Sequence, residues 1–165
     1  MPPFNERGKG TYILILQLEN PARIEVGKLG LVAFDTGIYT YVGSAFGPGG
    51  LAARVGHHLR TRKRCHWHID YLRRICRVSA VWYTIDSVRR EHEWAQILAG
   101  IRGAKVPIIG FGSSDCRCPS HLAYFHHSPN FITFRRKIRQ HFADDSLTIQ
   151  MYDLVEINRM TTRAP

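Results

Sequence analysis

The sequence predicts a single small α/β domain, and three observations lead there. Its 165 residues suffice for one hydrophobic core and fall short of two. Apolar stretches of strand length alternate with segments whose apolar residues recur at helical spacing. No internal repeat, low-complexity tract or flexible linker interrupts that order.

Residues 1–9 read as a loose polar arm and 159–165 as a frayed tail, leaving 10–158 as the domain, with a C-terminal extension from about 129. Tyr12 to Leu18, rich in Ile and Leu, suits a buried strand that Asn20-Pro21 ends. Ile24 to Val26 and Leu31 to Phe34 flank Gly27-Lys28-Leu29-Gly30 as a hairpin. Thr36-Gly37 turns the chain into a strand over Ile38 to Gly43, where Tyr39, Tyr41 and Gly43 share one face. The glycines of Phe46 to Gly50 then open a helix with Leu51, Val55 and Leu59 as its apolar stripe. Arg54 and His58, also four apart, stack on a neighbouring face.

A second helix is expected from about Ile69 to Cys76, and Val78 to Ile85 is a strand rich in Val and aromatics. A helix from about Val88 to Ile101 turns Trp94, Ala95, Leu98 and Ile101 inward. Gly110 to Cys116 is a loop, Leu122 to Phe125 a short strand, and Phe131 to Phe142 an amphipathic helix with basic residues between its apolar positions. Leu147 to Val155 reads as a last strand.

Composition narrows the function classes. A hydrophobic fraction of 44% with 22% charged residues is that of a folded soluble protein. The N-terminus, MPPFNERGKG, lacks the apolar stretch of a signal peptide, and no segment is long enough to span a bilayer, so a cytoplasmic location without membrane partners is expected. Free thiols or metal ligands then fit Cys65, Cys76, Cys116 and Cys118 better than disulfides. Twenty-three Lys+Arg against 13 Asp+Glu leave a net charge of +10, which points to a nucleic-acid partner.

The residues that carry chemistry form an ordered set: Gly10-Thr11-Tyr12, Tyr41-Val42-Gly43-Ser44-Ala45, Arg54, His58 and Glu91. Taken singly, each is an ordinary strand aromatic or a solvated helix residue. Taken in order, they resemble the GIY-YIG nuclease superfamily. Cys65-His-Trp-His-Ile-Asp-Tyr-Leu72 and Gly110-Phe-Gly-Ser-Ser-Asp-Cys-Arg-Cys118, followed by Ser120-His121-Leu122, resemble its Uri-type endonuclease branch. The likeness covers roughly residues 10–125. A literal Gly37-Ile38-Tyr39 precedes Tyr41 too closely to be the first half of the motif, because the family puts the two halves on different strands.

The resemblance implies a central antiparallel sheet flanked by helices and a metal-dependent endonuclease that hydrolyses phosphodiesters in DNA, at branched or damaged structures, with RNA as an open alternative. A protein partner supplying target specificity would fit so small a domain. In that chemistry Glu91 seats Mg²⁺ or Mn²⁺, with Glu93 as the competing acid, and Arg54 clamps a phosphate oxygen. Tyr12 and Tyr41 hydrogen-bond the attacking water, one of them acting as general base, and His58 serves as base or acid. Where several family members carry a late asparagine, this chain offers Ser113, Ser114 and Asp115.

The run HHLRTRKRCHWH, with Arg60, Arg62, Lys63 and Arg64, suits a surface that tracks phosphates, and a solvated helix end is its plainer reading. Cys116, Cys118 and His121 have the residue types for zinc, with Cys65, His66, His126 or His127 as a fourth ligand; the competing reading is a tight loop with small buried thiols. The alternative to an enzyme is a non-catalytic nucleic-acid-binding protein that keeps the fold.

Overall fold

A computed structural model describes residues 4–60, 64–144 and 146–155 and resolves the chain into seven strands and four α-helices among them. The strands are β1 (Gly10–Leu18), β2 (Ala22–Glu25), β3 (Leu31–Phe34), β4 (Gly37–Ala45), β5 (Arg77–Ile85), β6 (Leu122–Phe125) and β7 (Gln150–Asp153). The helices are α1 (Gly50–Leu59), α2 (His68–Leu72), α3 (Glu91–Ala99) and α4 (Phe131–Phe142). Five strands make an antiparallel sheet in the order β6-β4-β1-β5-β7, and β2 and β3 form a separate hairpin.

The sheet is covered on both faces, which explains why β1 is apolar almost throughout rather than alternating. Tyr12, Leu14, Leu16 and Leu18 point to one side, where α1, α2 and Phe111 pack over them. Ile13 and Ile15 point to the other, against Trp94, Leu98, Phe134 and Ile138 of α3 and α4. The two helices lock there through Trp94 and Phe134, whose rings meet edge-on at 5.3 Å.

Several expected boundaries shift for local reasons. The helix expected over Ile69 to Cys76 stops at Leu72, since Arg73 leaves it and its guanidinium turns back to the carbonyls of His58 and Cys76. The helix expected from Val88 starts at Glu91, because Asp86 caps the preceding turn by accepting from the Val88 N–H at 2.9 Å. The last strand shrinks to Gln150–Asp153 on the free edge of β5, while Leu147 and Ile149 are buried on the α3–α4 side.

Within residues 4–9, expected as part of a loose arm, Phe4 is buried against Tyr83 and Tyr152, with ring separations of 5.1 and 5.4 Å. The carbonyls of Glu6 and Gly8 accept the first N–H groups of α1 from Ala52 and Leu51. The tail over 159–165 lies outside the described residues. No helix among the described residues is long and apolar enough to cross a membrane.

Candidate active site

The antiparallel register of β1 and β4 sets Tyr12 directly opposite Gly43. The pairing has a steric basis. A Cβ at Gly43 would lie 2.4 Å from the Tyr12 hydroxyl, so only glycine lets the phenol cross its partner strand. Gly112 does the same for the second tyrosine: its φ is +72°, and a Cβ there would meet the Tyr41 ring at 2.7 Å. Both hydroxyls thereby reach one cleft of about 350 Å³ on the α1–α2 side of the sheet.

Four elements supply the rest of its wall. Arg54 and His58 come from α1, spaced as the sequence predicts. Trp67 and His68, at the start of α2, stand beside them. The guanidinium of Arg54 lies over the Trp67 ring at 4.3 Å, which holds a long side chain in one orientation at the cleft. Glu91, the first residue of α3, enters from the far end of β5. Its helix start is pinned to β1 because the Arg90 N–H donates to Thr11 Oγ1 at 3.1 Å. Gly112, Ser114, Asp115 and His121 close the cleft from the loop before β6.

The centre of the arrangement is a chain of buried polar groups. Tyr12 Oη lies 2.8 Å from His58 Nε2, and His58 is 1% exposed. On its far side His58 Nδ1 faces Asp70 Oδ1 at 3.6 Å, with His57 Nε2 at 3.4 Å from the same oxygen. The other oxygen of Asp70 accepts the backbone N–H groups of His66 and Trp67, at 2.9 and 3.0 Å. Asp70 thus anchors the start of α2 and lies behind His58 at once.

Burial raises the Tyr12 phenol well above its ordinary pKa, and nearby Tyr41, Glu91 and Asp70 add to this against the lowering effect of Arg54. Burial raises Tyr41 as well, with Glu91 adding to it and Arg54 opposing. Both hydroxyls therefore keep their protons at neutral pH. An imidazole with its proton on Nδ1, toward Asp70, would accept the Tyr12 hydroxyl at Nε2. With these raised values a tyrosinate is not the resting form at neutral pH, so a tyrosine that takes up a proton must pass its own on. His68 is shifted down by burial, offset by the Gly110 backbone, and its Nδ1 accepts the Gly112 N–H at 3.1 Å.

All five expected residues, Tyr12, Tyr41, Arg54, His58 and Glu91, border this cleft, although His58 sits behind Tyr12 rather than open to solvent. Glu93 does not line it. Tyr39, of the literal Gly-Ile-Tyr, is absent from it too, its hydroxyl donating to the Asp35 carbonyl at 2.9 Å. Of the three residues offered for the late asparagine, Ser114 and Asp115 line the cleft and Ser113 is buried. Arg60 and Arg64 are exposed, while Arg62 and Lys63 lie outside the described residues. Cys116, Cys118 and His121 do converge, but beside His92 rather than any of the expected fourth residues.

Asp70, Trp67 and Arg89 are members of the site that sequence reasoning missed. Asp70 had a visible signal, as a lone acid between Ile69 and Tyr71 in a stretch otherwise made of apolar residues and histidines. Arg89 had none, being one arginine of an adjacent pair.

The profile of a family described as a domain of unknown function, DUF123, matches residues 11–143. The chain belongs to the DUF123 family. The matched span contains Tyr12, Tyr41, Arg54, His58 and Glu91, so the cleft is built from the DUF123 domain itself, and β7 falls outside it. No curated protein and no solved structure matches the chain.

Proposed function

We propose that this DUF123 protein is a metal-dependent endonuclease of GIY-YIG type, close to the Uri-type branch, which hydrolyses phosphodiester bonds in DNA. One observation carries the reading: five residues scattered from position 12 to position 91 converge on one polar cleft in a chain of net charge +10.

The donors at the cleft suit a hard divalent cation. Glu91 is mostly buried, with 16% of its side chain exposed, and Asp115, Ser44 and Ser114 add oxygens to the same wall. Glu91, with Asp115, would hold Mg²⁺ or Mn²⁺, which when bound would neutralise charge on the phosphate. Arg54, fixed by Trp67, binds a non-bridging phosphate oxygen and stabilises the charge that builds up in the transition state.

Tyr12 orients the attacking water with its oxygen. As that water's oxygen bonds to phosphorus, its proton passes to Tyr12 while Tyr12 gives its own to His58 Nε2, so the imidazole acts as base through the phenol. The ester P–O bond breaks, the leaving oxygen takes up a proton from solvent water, and the imidazolium later returns its proton to solvent, so the step balances. Asp70 stabilises the imidazolium that results. Tyr41, held protonated by burial, donates to the reacting phosphate or water.

The test is cleavage of a labelled panel (supercoiled plasmid, single strand, flap, four-way junction and structured RNA) with Mg²⁺, Mn²⁺ or EDTA. Metal-dependent cutting of a DNA member supports the proposal. Cutting of RNA alone would replace DNA as substrate, and binding without cutting in either metal would leave a nucleic-acid-binding protein.

A further inference from the structure

We propose that His92, Cys116, Cys118 and His121 form a zinc site that clamps the first turn of α3 to the loop closing the cleft. The four ligand atoms lie within 4.8 Å of one another. His92 Nδ1 is 3.2 Å from Cys118 Sγ, and Cys116 Sγ is 3.4 Å from His121 Nε2. A tetrahedral zinc with Zn–S near 2.3 Å and Zn–N near 2.05 Å separates its ligands by about 3.3–3.8 Å. Two sulfur–nitrogen pairs already stand near that spacing, and the widest separation must contract by about 1–1.5 Å. Two thiolates with two imidazoles is a donor set that selects zinc over hard cations.

The backbone is shaped to make the cluster. The Gly110 N–H donates to the Pro119 carbonyl at 2.7 Å and the His121 N–H to that of Phe111 at 2.8 Å. Those bonds close the segment into a tight loop whose tip folds back onto α3. The sequence signal was incomplete, because the fourth ligand comes from a distant helix and sits next to the candidate catalytic acid.

The arrangement also has an outer partner. With Nδ1 of His92 turned to the cluster, its Nε2 lies 3.8 Å from Glu91 Oε1, an ion-pair distance that a short contraction would turn into the carboxylate–histidine pattern that orients metal-bound imidazoles. Zinc would therefore fix both Glu91 and the Ser114–Asp115 wall of the cleft. The site stands apart from the nuclease reading, and its test needs no cleavage.

The test uses the full chain purified without chelators. Elemental analysis should find one zinc per chain, and cobalt substitution should give intense tetrahedral d–d bands with thiolate-to-metal charge transfer. Cys118→Ser should weaken zinc binding, in competition with a chromophoric chelator, by more than the roughly 10–100-fold that loss of an outer partner costs. His92→Gln, on an exposed helix position, should also weaken binding while the far-ultraviolet circular dichroism stays native, which covers the case where the cysteine variant fails to fold. Zinc well below one per chain after reconstitution, cobalt bands of octahedral type, or wild-type affinity in a folded His92→Gln would each overturn the proposal. Recovery of a Cys116–Cys118 disulfide in protein reconstituted with zinc under reducing conditions would overturn it too.

Discussion

The hydroxyl of Tyr12 on β1 meets Nε2 of His58 on α1 at 2.8 Å, inside the protein, with Asp70 directly behind the imidazole. Tyr12 and His58 both line the cleft, and in the proposed mechanism His58 and Asp70 act through the phenol. If the relay operates as a unit, its members are worth the same when removed. Tyr12→Phe and His58→Gln should each slow DNA cleavage by about 10²–10⁴-fold, and the double variant no further. Single-turnover rates with all three proteins measure this, and additive losses would show that the two residues act separately.

Gly43→Ala adds one methyl group where the Tyr12 hydroxyl lies. The phenol must leave His58, while the β1–β4 pairing has no reason to break. Cleavage should fall to the level of Tyr12→Phe with native circular dichroism and unchanged DNA affinity. A variant that cuts at the wild-type rate would show that the phenol need not occupy this position.

The raised tyrosines make a prediction about alkaline stability. Burial lifts the folded pKa of Tyr12 and Tyr41 above the unfolded value of about 10. Below that value both states are protonated and the contribution to stability is fully present. Above it the unfolded chain ionises first, so stability is lost as pH rises toward the folded values. Denaturant melts should show a decline that begins near pH 10. The tyrosinate absorbance of these two residues should appear with unfolding and not before it; Tyr12→Phe should reduce the slope.

Arg60, at the end of α1, and Arg64, ahead of α2, are exposed. Neutralising them with Arg62 and Lys63 should weaken DNA binding and lower the slope of log affinity against log salt by about 0.9 for each phosphate no longer neutralised. An unchanged slope in a salt titration would remove this stretch from the interface.

How far the site was legible depends on which residues announce themselves locally. Apolar patterning located β6 and α4 to the residue, because Leu122–Phe125 and Phe131–Phe142 are bounded by turn and capping signals such as Asn130, whose side chain accepts the Thr133 N–H. The α3 start was misplaced because Asp86 and Thr11 hold the preceding turn through contacts that only the folded chain makes. The family resemblance favours Glu91 over Glu93, and of the two acids Glu91 lines the cleft. His92 was not legible, since it gains its meaning from Cys118 on another element, and Asp70, visible as a lone acid in its stretch, gains its role only from His58. The packing of Phe4 was hidden in the same way, in a segment that is polar around it.

If the cleft cuts DNA with Glu91 as the seat of its metal, loss of that carboxylate must separate cutting from binding. The most direct measurement compares wild type with Glu91→Gln on one cleaved DNA, reading binding and cutting side by side with Mg²⁺ and with EDTA. Affinity should be unchanged, because the basic surface is intact, and cutting should fall by at least about 10³-fold. Cutting by Glu91→Gln at the wild-type rate, or wild-type cutting that persists in EDTA, would contradict that role for Glu91.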